Sequence, residues 1–365
     1  MKRDSGMNIR ADEKKGFISL LEEKTYAVFD GEKRGKRLPV LCHDLLSTQR
    51  KVWADLRRGC DSLRRIRERE IACRGFSVRL QHNQERIKNA LAGADEAESG
   101  ERPCFLCLQH LPENQKGVLY RGAYLILCNP RPIFPSHFTL SHVDHRPQSI
   151  ADKIPTFLRL LAEFGSGWTV FYNGPKCGAS APDHLHFQAA PVGQMPIEKE
   201  IREENRFPER RRIGGVEVCR MNRMGREVMM IEGDDPNAVE RVFEDLLNSL
   251  KKILLLVEEP MINVAGFQRK NKWRLIVFPR RKHRPDAFFK KGESRVVVSP
   301  GLIDMGGVLI TPMEKDFERL EAGEVEGIYQ EVSLESEIVK KAMETLFGLP
   351  IRCGRVRKRR KLNAD

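Results

Sequence analysis

Two imidazoles and an amide stand at alternate positions in DHLHFQAA, residues 183–190: His184, His186 and Gln188. Between them come Leu185, Phe187 and Ala189, all apolar. Successive side chains of a β-strand point to opposite faces, so the pattern predicts a strand with one face on a core and the other free for chemistry. A core has no use for three such polar groups on one face, because each needs a partner once buried. A merely solvated face would more ordinarily carry Lys, Glu or Thr. The segment just before the strand, YNGPKCGASAPD (172–183), adds Asn173, Gly174, Gly178 and Ser180 in a loop. Small residues let backbone N–H groups approach an anion closely, and a serine hydroxyl adds a donor. Loop and strand together read as a phosphate-handling site.

A second chemistry lies in Cys104-Phe105-Leu106-Cys107, whose spacing suits a zinc hook. No second CxxC follows, so the other two ligands would have to be histidines. His145 and His184 are the candidates, which makes a Cys2His2 set. Four protein ligands close a tetrahedral shell, so such a zinc would be structural. A redox pair, or no role, is the competing reading of a lone CxxC.

These residues must be placed by their neighbours. Val118–Leu127, broken at Arg121-Gly122, predicts a hairpin; His137–Ser141, Trp168–Tyr172, Trp273–Phe278, Arg295–Val298 and Val308–Thr311 predict strands. Apolar residues recur at helical spacing over Ile150–Phe164, and again after Asp235-Pro236 through Val239, Val242, Phe243, Leu246, Leu250 and Ile253. Asp as N-cap and Pro at the first position start that second helix. A last helix is expected over Val325–Phe347. Residues 1–100 read as mostly helical, and Ala92–Pro103 as a linker. HFTLSHVDHRP (137–147) and RLIVFPRRKHRP (274–285) both run from a strand into His-Arg-Pro, a weak internal echo that suggests a duplicated unit.

The 365 residues allow one large or two ordinary domains. No apolar run approaches the ~20 residues of a membrane span, and MKRDSGMNIRADEKKG lacks the apolar centre of a signal peptide. Nine irregularly spaced cysteines do not form a disulfide framework. A cytoplasmic protein with reduced thiols, not a membrane protein, is therefore expected. The net charge of +13 suits an anionic partner. Much of it is local: Arg352–Lys361 carries seven positive charges and no negative one. That tail reads as a solvated end rather than a nucleic-acid arm. Arg210-Arg211-Arg212 and Arg280-Arg281-Lys282, inside the folded part, are better candidates for phosphate contacts. For Arg280, Lys282 and Arg274 a solvated basic turn is the favoured reading.

Taken together, RPCFLC (102–107), NPRPIFPSHFTLSHVDHRPQ (129–148) and YNGPKCGASAPDHLHFQ (172–188) resemble the histidine-triad superfamily. Within it they are closest to the nucleotidyltransferase branch, whose triad ends in Gln. That branch includes galactose-1-phosphate uridylyltransferase, diadenosine tetraphosphate phosphorylase (ATP adenylyltransferase) and GDP-L-galactose phosphorylase. The resemblance covers residues 102–190, and residues 263–285 weakly.

The resemblance implies an α+β protein of tandem histidine-triad-like units with antiparallel sheets and packed helices. Its boundaries would be a helical N-terminal region (1–100), an active unit (101–215), a degenerate second unit (216–350) and a basic disordered tail (351–365). It makes His186 the nucleophile, and Cys104, Cys107, His145 and His184 the zinc ligands. Gln188 and Ser180 would bond the reacting phosphate; Asn173, with Gly174 and Gly178 in its loop, would orient the phosphates or the imidazole. Asn129 sits where family members contact the nucleotide sugar. The stretch Ala181-Pro182-Asp183 is one residue longer than in several relatives. His137, His142 and His283 would be structural or at the rim.

The chemistry so implied is double displacement through a nucleotidyl-histidine. Substrates would be a nucleoside diphosphate sugar or a dinucleoside polyphosphate, with phosphate or a sugar phosphate as acceptor and magnesium accompanying the nucleotide. A hydrolase sharing the intermediate is the enzymatic alternative. A zinc-stabilised nucleic-acid-binding protein with a dead triad is the alternative of another class.

Overall fold

The structure, a computed structural model, describes residues 11–31, 36–91 and 103–348. The basic tail and nearly all of the expected linker lie outside the described residues. The N-terminal part forms helices α1 (Ala11–Lys24), α2 (Leu38–Val52), α3 (Ala54–Ser62) and α4 (Ile87–Leu91). It also supplies strands β1 (Thr25–Phe29), β2 (Arg67–Ala72) and β3 (Ser77–His82), which the helical reading passed over. Then come β4 (Gly117–Tyr120), β5 (Tyr124–Cys128), β6 (Phe138–His142), α5 (Ile154–Phe164), β7 (Trp168–Asn173) and β8 (His186–Pro191). After the short α6 (Ile197–Glu200) the same succession returns: β9 (Glu209–Ile213), β10 (Val216–Arg220), β11 (Met229–Gly233), α7 (Pro236–Leu254), β12 (Ile262–Arg269) and β13 (Lys272–Pro279). The chain continues through α8 (Leu302–Met305), β14 (Val308–Thr311), α9 (Glu314–Arg319), α10 (Ala322–Val332) and α11 (Ser336–Leu346).

Eleven strands form one sheet in the order β1-β4-β5-β6-β8-β7-β12-β13-β11-β10-β9; β14, β3 and β2 form a second. Among the described residues of the large sheet, only β1 and β4 run parallel. The halves β4-β5-β6-β8-β7 and β9-β10-β11-β13-β12 have the same strand order and meet at β7 and β12, with Asn173 directly opposite Asn263. This topology corrects the reading of the internal echo. Its two copies fall on β6 and β13, strands that hold different places in their halves, so the His-Arg-Pro turns do not mark the repeat.

Both faces of the sheet are covered, which is why every residue of β7 is buried. Helices α2, α5, α7 and α11 cover one face, burying Leu45, Phe157, Leu161, Phe243, Leu246 and Val339 against Val170, Tyr172 and Phe187. The small sheet, α8 and α10 cover the other, over Phe171, Ala265 and Phe278. Helix α7 begins as its sequence signals: the Asp235 carboxylate accepts from the Asn237 N–H at 3.0 Å, with Pro236 at the first position. Its predicted apolar stripe is buried from Val239 to Leu250. The β4–β5 turn places Arg121 and Gly122 both at positive φ, 49° and 64°, the conformation a tight hairpin demands. Two expectations fail. Residues 295–298 lie in no strand, and the last helix is two, α10 and α11, broken at Ser333-Leu334-Glu335. Ser333 at the break pairs with Arg280 in an isolated bridge. No helix among the described residues is long and apolar enough to cross a membrane.

Candidate active site and metal centre

The alternation read from DHLHFQAA is present. Leu185, Phe187 and Ala189 lie in the helix-side core, while His186 and Gln188 turn to a cavity of about 600 Å³ on the opposite face. Asn129, Asn173, Gly178 and Ser180 line the same cavity. His184 precedes the strand proper, which begins at His186.

The geometry of His186 sets its protonation. It is 3% exposed, and its Nδ1 lies 2.8 Å from the His184 carbonyl, so Nδ1 carries the proton and donates. The lone pair is left on Nε2, for which the described residues provide no hydrogen bond. Burial lowers its pKa to about 4, so the ring is neutral near pH 7. Its backbone is pinned by Gln148: the His186 N–H donates to Gln148 Oε1 (2.8 Å), and Gln148 Nε2 donates to the carbonyls of Asn173 (2.8 Å) and His186 (3.1 Å). Strand β8 and the end of β7 are thus locked together behind the His186 ring.

Gln188 is oriented by His137, which sequence reasoning left as structural or peripheral. His137 Nδ1 accepts from the Ile133 N–H at 3.3 Å, so its proton sits on Nε2 and is donated to Gln188 Oε1 at 2.8 Å. The Gln188 amide nitrogen is thereby turned away from His137, free to donate. Burial also lowers the His137 pKa to about 4, and the nearby Arg86 adds to the shift.

Asn173 is fixed in the same manner. Its Oδ1 accepts from Asn263 Nδ2 and from the Leu302 N–H, both at 2.7 Å. The amide nitrogen of this cavity-lining residue is therefore the group left to donate to a ligand. Gly178 has φ +88°, and a Cβ there would stand 2.6 Å from Gly301 Cα, so only glycine fits. Gly174 departs from its expected role: it does not line the cavity, and its N–H is spent on the Ile262 carbonyl at 3.1 Å. Asn129 lines the cavity with Oδ1 committed to the Arg131 N–H at 2.9 Å.

The proposed ligands converge. One donor atom each from Cys104, Cys107, His145 and His184 lie within 4.8 Å of one another, the one such cluster among the described residues. His184 Nδ1 is 3.3 Å from Cys104 Sγ and 3.6 Å from Cys107 Sγ; His145 Nδ1 is 3.1 Å from Cys107 Sγ. A tetrahedral ion with bonds of ~2.0–2.3 Å requires ligand–ligand edges of about 3.5 Å, so the set fits zinc. The outer nitrogens are committed as metal-bound histidines require. His184 Nε2 donates to the His142 carbonyl at 2.9 Å, and His145 Nε2 lies 3.4 Å from Asp183. Without a cation, burial and the neighbouring Cys104 push the Cys107 thiol up to about 12; a dication would reverse that preference. The eight described cysteines are all free.

The rest of the cavity comes from distant segments. Trp53 and Phe105 give it apolar walls, and Arg86, Arg131 and Arg284 bring cations. Arg210-Arg211-Arg212 are not among its lining residues: they form β9, a sheet edge. Arg274 and Lys282 are ion-paired with Glu232 and Glu331. Arg280, expected in a solvated turn, is 1% exposed and lies within the protein behind Asn263. His137, Gln148 and Asn263 lie within segments that carry the resemblance, but the sequence assigns none of them this role, because each acts through a partner distant in the chain.

The sequence profile of a domain of unknown function, DUF4922, matches residues 45–191. No curated protein sequence matches the chain. Among solved structures it is similar to yeast Ap4A phosphorylase Apa2 in complex with AMP, with TM-score 0.54 at 14% identity over 82% of this chain and 97% of that one. A second structure of yeast Apa2 gives TM-score 0.50 at 12% identity, over 77% and 94% of the two chains. The protein therefore has the α+β fold of that phosphorylase, with large antiparallel sheets and packed helices as the resemblance implied.

Proposed function

We propose that the protein is a nucleotidyltransferase of the phosphorylase type. It would act on a nucleoside diphosphate sugar or a dinucleoside polyphosphate through a covalent nucleotidyl-His186. The observation that carries the reading is the His184 carbonyl bond to His186 Nδ1, which leaves a neutral imidazole's Nε2 lone pair at a cavity wall shared with Asn173, Ser180 and Gln188. The fold likeness to a phosphorylase supports it.

The first step forms a bond from Nε2 to the α-phosphorus and breaks the bond to the leaving phosphate oxygen. As the ring becomes cationic, the Nδ1–H bond to the His184 carbonyl strengthens. The amide nitrogens of Gln188 and Asn173, with the Ser180 hydroxyl, would donate to the non-bridging oxygens as negative charge gathers there. An inorganic phosphate or sugar phosphate then attacks from the side the first leaving group vacated, and the P–N bond breaks. Magnesium would enter with the nucleotide. Zinc at Cys104, Cys107, His145 and His184 would have a closed shell and a structural role. Residues 101–215 would be the active unit, and 216–350 its counterpart without a His-x-His-x-Gln strand. We place the protein in the cytoplasm, where the paired thiols stay reduced.

The test is to mix the protein with ATP-, GTP- and UDP-derived substrates labelled at the α-phosphate. An acid-labile, base-stable label on the wild-type protein, absent from His186→Ala, is expected. Turnover by wild type with no trappable intermediate would remove His186 as nucleophile.

A further inference from the structure

The guanidinium of Arg280 is buried in the second half of the sheet with all five of its N–H donors engaged. Nε donates to the Val332 carbonyl (3.1 Å), and Nη1 to Asn263 Oδ1 (2.6 Å) and the Pro300 carbonyl (3.0 Å). Nη2 donates to the carbonyls of Lys282 (3.1 Å) and His283 (3.0 Å). Every acceptor is neutral, and no carboxylate among the described residues pairs with this cation. Burial lowers its pKa, yet an arginine stays charged. A buried cation in no direct ion pair, with Asp304 acting on it only at longer range, costs stability, so its position invites a functional account.

We propose that Arg280 is the positioning residue of the phosphate site. It fixes the Asn173 amide by holding both of the groups that hold Asn173. This rests on the phosphate-handling reading of the cavity. Asn173 Oδ1 takes two hydrogen bonds, from Asn263 Nδ2 and from the Leu302 N–H. Arg280 controls the first because it binds Asn263 Oδ1, which turns Asn263 Nδ2 toward Asn173. It controls the second because it binds the Pro300 carbonyl, two residues before Leu302. Asn263 Nδ2 also donates to the Cys177 carbonyl at 2.7 Å, tying in the loop that carries Gly178 and Ser180. Gly178 packs directly on Gly301, so the loop and the 300–302 segment move together.

The consequence is directional. With both donors in place, turning the Asn173 amide over would set its NH2 against two N–H groups. The nitrogen therefore stays toward the cavity as a donor for a phosphate oxygen. Arg280 thus acts on that donor through the hydrogen bonds it makes, the buried Asp304 carboxylate lying close enough to offset its charge. A lysine has three donors on a single nitrogen and cannot span the five acceptors that the planar fork reaches. The second half of the protein thus contributes to the site by orientation.

The experiment compares wild type with Asn263→Asp, Arg280→Lys and Arg280→Met. Asn263→Asp gives Arg280 a carboxylate partner but has no N–H to offer Asn173. Binding of AMP, GMP and UMP and of the matching nucleosides is measured by calorimetry. Amide exchange is followed over 172–180 and 300–305, with thermal unfolding as the fold control. Losing an oriented donor to a charged phosphate predicts a roughly 10- to 100-fold weaker monophosphate affinity for Asn263→Asp. Nucleoside affinity should be unchanged, a split that general destabilisation would not produce. Arg280→Lys and Arg280→Met are expected to speed exchange at Leu302 and in the loop, with Lys the milder. Monophosphate affinities within twofold of wild type in all three variants would overturn the proposal. If wild type binds no nucleotide, the functional reading fails on its own, and the exchange rates still decide: protection at Leu302 unchanged in both Arg280 variants overturns the positioning role.

Discussion

His137→Leu tests the logic of the site sharply, because His137 orients Gln188 without lining the cavity. The ring is 2% exposed and lies against Phe134 and Phe171, with centroids 6.2 and 5.8 Å away, so leucine keeps the apolar contacts. What it removes is the one donor that fixes Gln188 Oε1. The amide can then turn over and present oxygen to a phosphate. A lost bond of this kind is worth about 1–3 kcal/mol, or roughly a 5- to 150-fold fall in kcat/KM, carried by kcat if the bond strengthens in the transition state. Stability should move the other way in acid. His137 has a folded pKa of about 4 against 6.5 unfolded, so between these values the unfolded chain binds more protons and stability falls as pH falls. The shift corresponds to a contribution of order 3 kcal/mol, fully lost below pH ~4. His137→Leu should therefore unfold at lower pH than wild type while being the poorer catalyst. Rates are read by phosphate-dependent release of labelled nucleotide, stability by urea titration at pH 7 and 4.5. Unchanged kcat/KM would show that Gln188 needs no orienting partner. An unchanged acid transition would show that His137 is not held neutral in the fold.

Cys107→Ser should reduce bound zinc from about one equivalent to a small fraction, measured by atomic absorption; equal zinc in variant and wild type would refute the ligand set. Gly178→Ala forces a side chain onto Gly301 at positive φ and should cost roughly 1–3 kcal/mol, with anion binding weakened alongside; an unshifted melting curve would refute the close packing. Phe157→Ala, beneath the helix-side face, should destabilise by about 3–5 kcal/mol and leave nucleotide affinity as it is. A normal urea midpoint for that variant would show the core placement to be wrong.

Much of the candidate site was legible because it is local. His186 and Gln188 share a face through period-two alternation, and the loop from Asn173 to Ser180 is contiguous with them. The Cys2His2 set was legible from residue type and spacing. What escaped was whatever depends on strand order. That His137 faces Gln188 follows from β6 pairing with β8, and that Asn263 faces Asn173 follows from β7 meeting β12. Neither pairing leaves a mark in the linear pattern. Arg280 was misread for a related reason: a basic triplet after a strand looks solvated, and only the five carbonyl and amide oxygens around it show otherwise. The N-terminal strands were hidden by charge, since REREIA alternates too weakly to stand out from a helix.

The strand β9 ends the eleven-stranded sheet, with one side unpaired among the described residues, and reads ERRRI, its first four residues exposed. An open edge of backbone donors and acceptors is a template on which a second polypeptide could add a strand. Here an incoming copy would have to lay its own Arg210, Arg211 and Arg212 against the same three charges. The triplet read as candidate phosphate contacts thus lines that edge with positive charge, which would oppose pairing with a second copy.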